Sequence, residues 1–151
     1  MASVREILER KGTDVARIAP DATALDAASS MNSRRIGSLV VVERGQVVGI
    51  VTERDIMTRV VADERDPSRT LVREIMSSKL SVCPPDTPVD ECRDMLIGRH
   101  IRRLPVMDGG ELVGIVTSGD VMRQEMEEQR NMIGYLTEYM ESPPTPPGGR
   151  S

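Results

Sequence analysis

Thr52-Glu53-Arg54-Asp55 and Thr117-Ser118-Gly119-Asp120 each set a hydroxyl and a carboxylate three residues apart, directly after a Gly-Ile-Val run. Where a buried strand turns into a helix, the first backbone N–H groups lack intrahelical partners and carry the positive end of the helix dipole. A threonine there can cap the helix or give a hydrogen bond to an anion such as phosphate. An aspartate one turn later can accept two hydrogen bonds, which is what a vicinal diol such as ribose requires. The same spacing also resembles a capping box, in which hydroxyl and acid satisfy each other's backbone N–H groups. Its recurrence in one context, twice, favours a role beyond capping. Arg102 and Arg103 add two adjacent cations, either phosphate contacts or a solvated strand edge.

The elements that position these groups are also duplicated. Ile36/Ile101, Leu39/Leu104, Val41/Val106, Gly45/Gly110 and Met57/Met122 stand 65 residues apart, and 11 of the 22 positions from Ile36 to Met57 are identical at that offset. Upstream, Pro20, Thr23, Asp26 and Met31 match Pro84, Thr87, Asp90 and Met95 at an offset of 64, which puts a one-residue deletion near positions 32–35. Val4-Arg5-Glu6-Ile7 returns as Val72-Arg73-Glu74-Ile75 at an offset of 68, so the first copy carries about four additional residues around Gly12. Two copies fit a pseudo-twofold pair, because a solenoid needs at least three units for a continuous core.

Within each copy, hydrophobic periodicity gives strand, helix, strand, strand, helix. Leu39–Val42 and Val47–Val51 flank Glu43-Arg44-Gly45-Gln46, and Leu104–Met107 and Leu112–Val116 flank Asp108-Gly109-Gly110-Glu111; both read as buried hairpins. Thr23 caps a helix expected to bury Leu25, Ala28 and Met31, and Pro88 marks the corresponding start in the second copy. A longer helix over Val121–Met140 aligns Met122, Met126, Ile133, Leu136 and Met140, a stripe suited to core or dimer packing. The expected organisation is 1–66 for an N-terminal helix and first repeat, 67–127 for a linker helix and second repeat, 128–141 for a helical extension and 142–151 for a disordered tail.

Composition narrows the function. The net charge of −4 and pI near 5.1 disfavour nucleic-acid binding, which needs an excess of cations over the phosphates. Phe and Trp are absent and the tyrosines lie at positions 135 and 139, so a planar ligand has an aliphatic slot rather than an aromatic platform. Cys83 and Cys92 form no CxxC and His100 is the single histidine, which disfavours zinc and leaves a general base without a recognisable nucleophile. No apolar run approaches a membrane span and no signal peptide is evident; the expectation is a cytoplasmic, non-enzymatic protein without membrane contact.

With Gly-Ile-Val-Thr-x-x-Asp closing both copies and Arg102-Arg103-Leu104-Pro105-Val106-Met107-Asp108 before the second turn, the chain resembles a tandem pair of CBS domains, or Bateman module, over roughly Val4–Met126. The resemblance implies an α/β (α+β) fold of two β-α-β-β-α repeats packed as a pseudo-twofold pair, here with an extended C-terminal helix. It implies a regulatory module binding AMP, ADP, ATP or NAD(H) in clefts between the halves, with no catalytic cofactor. One cleft would use Thr117, Gly119 and Asp120, with Arg102 and Arg103 on the phosphates and Val15, the Arg17 backbone, Ile36 and Gly37 around adenine. The other would use Thr52, Arg54 and Asp55, with Lys79, Ser81, Ile101 and Arg102 around the base and Gly37 and Ser38 at the phosphate positions. The cation pair makes the Asp120 cleft the expected tighter site. The resemblance further implies a homodimer through the helices after Thr52 and Thr117, including Ile56, Val60, Val121 and Met122, acting on a protein effector. The alternative is a ligand-independent dimerisation scaffold.

Overall fold

The computed structural model describes residues 2–141, so the tail expected over 142–151 lies outside the described residues. Its elements are α1 (Val4–Lys11), β1 (Arg17–Ile18), α2 (Ala24–Arg34), β2 (Ser38–Glu43), β3 (Gln46–Thr52), α3 (Glu53–Ile56, continuing as a π turn over Met57–Val61), α4 (Val72–Ile75), α5 (Val89–Gly98), β4 (Arg103–Asp108), β5 (Glu111–Thr117) and α6 (Ser118–Glu141). Both hairpins are antiparallel. Leu39 pairs with Val51 and Leu104 with Val116, and each hairpin carries a bulge, at Val41/Val42 and Val106/Met107. The apolar runs thus become one buried strand face per repeat: Leu39, Val41 and Val51 in the first, Leu104, Val106 and Val116 in the second, all fully buried.

The leading strand is unequal in the two copies. β1 runs parallel to β2, with Arg17 opposite Val40 and Ile18 opposite Val41. The second copy keeps only a bridge from Cys83 to Val106, closed by the Cys83 amide on the Pro105 carbonyl and the Met107 amide on the Cys83 carbonyl. In the first copy the Val40 amide also donates to the Ala16 carbonyl at 3.0 Å; its counterpart in the second copy is Pro105, which has no N–H to donate, so the ladder stops at one bridge.

The register upstream of β2 is 65, not 64. Thr23 bridges Leu71 while Pro88 bridges Ser3, so Thr23 corresponds to Pro88 rather than Thr87. The buried residues agree: Ala24, Ala27 and Met31 on α2 stand 65 positions before Val89, Cys92 and Leu96 on α5. No deletion near 32–35 is needed. Leu25 is 47% exposed and the α2 core face is built on Ala24 and Ala27, which permit close approach to the sheet.

Each short helix that precedes a repeat packs against the other repeat. Val4, Ile7 and Leu8 of α1 join the core of Leu104, Val106 and Val116, whereas Val72 and Ile75 of α4 join that of Leu39, Val41 and Val51. Matching backbone bonds fix the exchange: Val4 N–H donates to Thr87 O and Arg5 N–H to Pro85 O, as Val72 N–H donates to Ala22 O and Arg73 N–H to Pro20 O. Two strand glycines make room for it. A Cβ on Gly114 would stand 2.6 Å from Leu8 Cδ2, and one on Gly49 would stand 2.6 Å from Met76 Sδ, just beyond α4.

Val60 and Val121, expected at a dimer contact, are instead core residues at 1% and 3% exposure. The outward apolar positions are Met57, Val61, Met122 and Met126, continued along α6 by Ile133, Leu136 and Met140. The C-terminal stripe is therefore not part of this chain's own core.

Candidate functional site

Both Thr-x-x-Asp elements form complete capping boxes. Thr52 N–H donates to Asp55 Oδ2 at 2.9 Å while Asp55 N–H donates to Thr52 Oγ1 at 3.2 Å; the Thr117–Asp120 pair repeats this at 2.9 and 3.1 Å. Capping consumes one carboxylate oxygen position in each copy and leaves the rest of the carboxylate to decide function. There the copies diverge.

Asp55 faces a cavity of about 310 Å³ between the halves, walled by Thr52, Glu53, Arg54 and Asp55 from the first repeat and by Lys79, Leu80, Ser81, His100, Ile101, Arg102 and Arg103 from the second. Its carboxylate is 15% exposed and its nearest cation is Arg59 Nε, 4.0 Å away. Arg54, Lys79, Arg102 and Arg103 have no carboxylate within 4.0 Å among the described residues. Ile50, Ile101 and Pro105 provide an aliphatic wall. The cavity thus joins a carboxylate, an apolar slot and unneutralised cations.

A second cavity, of about 600 Å³, is walled by Lys11, Asp14, Val15, Ala16, Arg34, Ile36, Gly37, Ser38, Val40, Arg103, Ile115 and Thr117. Asp120 sits behind this wall, its side chain 5% exposed. Oδ2 accepts Lys11 Nζ at 2.7 Å besides the Thr117 amide, and Oδ1 accepts Arg123 Nη2 at 2.5 Å. Burial pushes this carboxyl up, but the hydrogen bonds from Lys11 and Thr117 outweigh it and hold Asp120 below the ordinary aspartate value.

The residues assigned from sequence to the Asp55 cleft, namely Thr52, Arg54, Asp55, Lys79, Ser81, Ile101 and Arg102, all line the first cavity. Of those assigned to the Asp120 cleft, Val15, Ile36, Gly37, Arg103 and Thr117 line the second cavity, whereas Arg17, Arg102, Gly119 and Asp120 do not. Arg103 lies on both cavities and Arg102 on the Asp55 side. Gly37 and Ser38, placed from sequence at the phosphate positions of the Asp55 cleft, line the other cavity. Gly37 leaves room for Arg103 of the other repeat: a Cβ there would stand 2.5 Å from Arg103 Nη2 and 2.9 Å from Glu53 Oε1. Sequence reasoning left out Lys11, Asp14, Arg34 and, as a wall residue, His100. Lys11 had a signal, since the offset of 68 that relates Val4 to Val72 relates Lys11 to Lys79.

A CBS-domain family model matches residues 4–62 and again 72–127. The chain belongs to the CBS-domain family. Such pairs are in general regulatory modules that bind adenosine-containing ligands. The chain is 36% identical over 129 residues to the CBS domain-containing protein YhcV of Bacillus subtilis (strain 168), covering 85% of this chain and 89% of that one. It is 38% identical over 125 residues to the uncharacterized protein MK0525 of Methanopyrus kandleri, covering 82% of this chain but only 62% of that longer protein. Among solved structures, a putative signal-transduction protein with CBS domains from Burkholderia ambifaria MC40-6 superposes with a TM-score of 0.81 at 34% identity, covering 85% of this CBS pair and 96% of that chain. Among the described residues no helix is long and apolar enough to cross a membrane.

Proposed function

We propose that this CBS pair binds an adenine nucleotide, AMP, ADP, ATP or NAD(H), in the cavity beside Asp55, and that occupancy alters its action on a protein effector in response to energy or redox state. The observation that carries this reading is the coincidence, on one cavity of about 310 Å³, of Asp55 with four cations, Arg54, Lys79, Arg102 and Arg103, that have no carboxylate within 4.0 Å among the described residues. Ribose hydroxyls donate to the outer Asp55 oxygen, the base lies against Ile50, Ile101 and Pro105, and the phosphates reach the arginines, whose planar donor forks suit them. The cavity is of a size usual for small-ligand sites. Among the described residues no hydrogen bond joins His100 to Thr52, Ser77 or Ser81 on this wall, which favours binding over catalysis.

This reading moves the favoured site from Asp120 to Asp55. Asp120 brings a buried carboxylate already bonded on both oxygens, whereas Asp55 lines the cavity with only Oδ2 hydrogen-bonded and Oδ1 no nearer than 4.0 Å to Arg59 Nε. The two halves of the wall come from different repeats, so a ligand there bridges them and resists their separation. Thermal denaturation with each nucleotide tests the proposal. A ligand at a hundredfold excess over Kd adds about 2.7 kcal/mol to stability; absence of stabilisation by all of them would leave the ligand-independent scaffold as the better reading.

The module acts as a homodimer in this proposal, through Met57, Val61, Met122 and Met126 and not through the internal Val60 and Val121. Those four exposed side chains, on the helices that follow the two Thr-x-x-Asp elements, are its support.

A further inference from the structure

Lys11 is the residue that separates the two copies of the site. It closes α1, and because α1 packs against the second repeat, its side chain arrives at β5 and the start of α6. The ammonium donates to Asp120 Oδ2 at 2.7 Å and to the Ile115 carbonyl at 2.9 Å, with the side chain 32% exposed. Arg123 takes the other Asp120 oxygen, but its side chain is 72% exposed and makes no second hydrogen bond among the described residues, so it can swing into solvent. Lys11 is held at two points and covers a carboxylate that is otherwise buried.

The counterpart in the first repeat behaves differently. Lys79, related to Lys11 by the offset of 68, lines the Asp55 cavity yet stands more than 4.0 Å from every carboxylate among the described residues. Asp55 therefore keeps an acceptor for a ligand, while on Asp120 the capping amide, the Lys11 ammonium and the Arg123 guanidinium occupy the positions a diol would use. The second cavity is present, at about 600 Å³, and has an apolar wall in Val15, Ile36 and Val40 and cations in Arg34 and Arg103. What it lacks is an open carboxylate at the Thr-x-x-Asp position; the acid on its wall is Asp14, which comes from the segment between α1 and β1 and not from that element.

We infer that Lys11 is an internal cation that occupies the ribose position of the Asp120 site and limits this CBS pair to one ribonucleotide per chain. The inference rests on the reading that the Thr-x-x-Asp carboxylates hold ribose. It makes Lys11 a determinant of stoichiometry: removing the ammonium while leaving Asp120 in place opens a second site.

Calorimetric titration of AMP into the full chain reads this directly. The wild type is expected to bind one AMP, lost in Asp55→Ala. Lys11→Ala is expected to bind two, the additional event disappearing in Lys11→Ala/Asp120→Ala and persisting in Lys11→Ala/Asp55→Ala. Lys11→Met, which keeps the aliphatic stem and its packing, gives the same gain and serves if the alanine variant does not fold. Two AMP per wild-type chain, one of them lost on Asp120→Ala, overturns the role of Lys11 and leaves the Asp55 site intact. A single AMP on both Lys11 variants, abolished by Asp55→Ala, does the same. A silent wild type with one AMP on Lys11→Ala overturns the Asp55 site and leaves the role of Lys11 standing; no binding to any variant overturns both.

Discussion

Gly114 and Leu8 form a test of the helix exchange, because the absence of a side chain on one is the seat of the other. Leu8 is 5% exposed and lies in the second-repeat core. Leu8→Ala removes three carbons from that core and is expected to cost about 2–4 kcal/mol, the transfer term plus the cavity left behind. Gly114→Ala introduces a Cβ 2.6 Å from Leu8 Cδ2 and 2.9 Å from Leu8 Cδ1, well inside van der Waals contact. The strand backbone cannot yield readily, so the leucine must move, at an expected cost of about 1–3 kcal/mol from overpacking. In Leu8→Ala/Gly114→Ala the new methyl enters space that the leucine has vacated. The double variant should then be at least about 1 kcal/mol more stable than the sum of the single changes implies, the coupling typical of residues in contact. Urea denaturation of the four proteins, with the m-value monitored for two-state behaviour, measures that cycle. Leu8→Ala combined with Gly49→Ala is the control: Gly49 seats Met76 in the other repeat, and these changes should add within about 0.5 kcal/mol. Additivity for Leu8 with Gly114, or coupling of Leu8 with Gly49, would refute the placement of α1.

Asp55→Ala is expected to weaken adenine-nucleotide binding about ten- to a hundredfold, equivalent to about 1.5–3 kcal/mol, by calorimetry; unchanged affinity would remove Asp55 from the site. Arg102→Ala should weaken ATP binding more than adenosine binding, since its contribution is to the phosphates, and an equal loss for both would contradict that role. Asp120 titrates below the unfolded value, so it stabilises the fold above about pH 4 and that contribution is lost as pH falls through its folded value. Asp120→Asn should accordingly flatten the acid limb of stability against pH, measured by urea midpoints from pH 2 to 7; an unchanged limb would contradict the bonding around Asp120. If the proposed homodimer forms, Met57→Glu/Met122→Glu should convert it to monomer by light scattering at micromolar concentration, and a monomeric wild type would refute the dimer.

The hairpins were legible because their residues are apolar without interruption and their turns carry glycine or acid-glycine pairs. The duplication was legible because buried strand positions repeat in identity, as at Leu39/Leu104 and Val51/Val116. The α2 face was misphased for a physical reason: Leu25 is its bulkiest apolar residue, yet the close helix–sheet approach selects Ala24 and Ala27, whose small size carries little periodic signal. The chemistry at the two aspartates was legible as a motif but not as an environment. Lys11 and Asp120 are separated by 109 residues, and their contact depends on α1 crossing to the other repeat, which sequence adjacency does not reveal. Without that crossing, Arg102 and Arg103 pointed to Asp120 as the stronger site; with it, the burial and pairing of Asp120 point to Asp55.

The exchange of α1 and α4 also bears on how such a chain arises. A single repeat with this packing lacks the helix that covers its own hairpin, and its own leading helix is placed to cover another. It closes its core only by giving that helix to a second copy and receiving one in return. The duplicated chain thus has the geometry of a domain-swapped dimer made continuous, with the segment around Asp63–Arg69 as the connection. Joining the halves replaces a concentration-dependent encounter with an intramolecular one and frees the two copies to diverge. A lysine at position 11 can then act on one aspartate alone, an asymmetry that two identical chains could not encode.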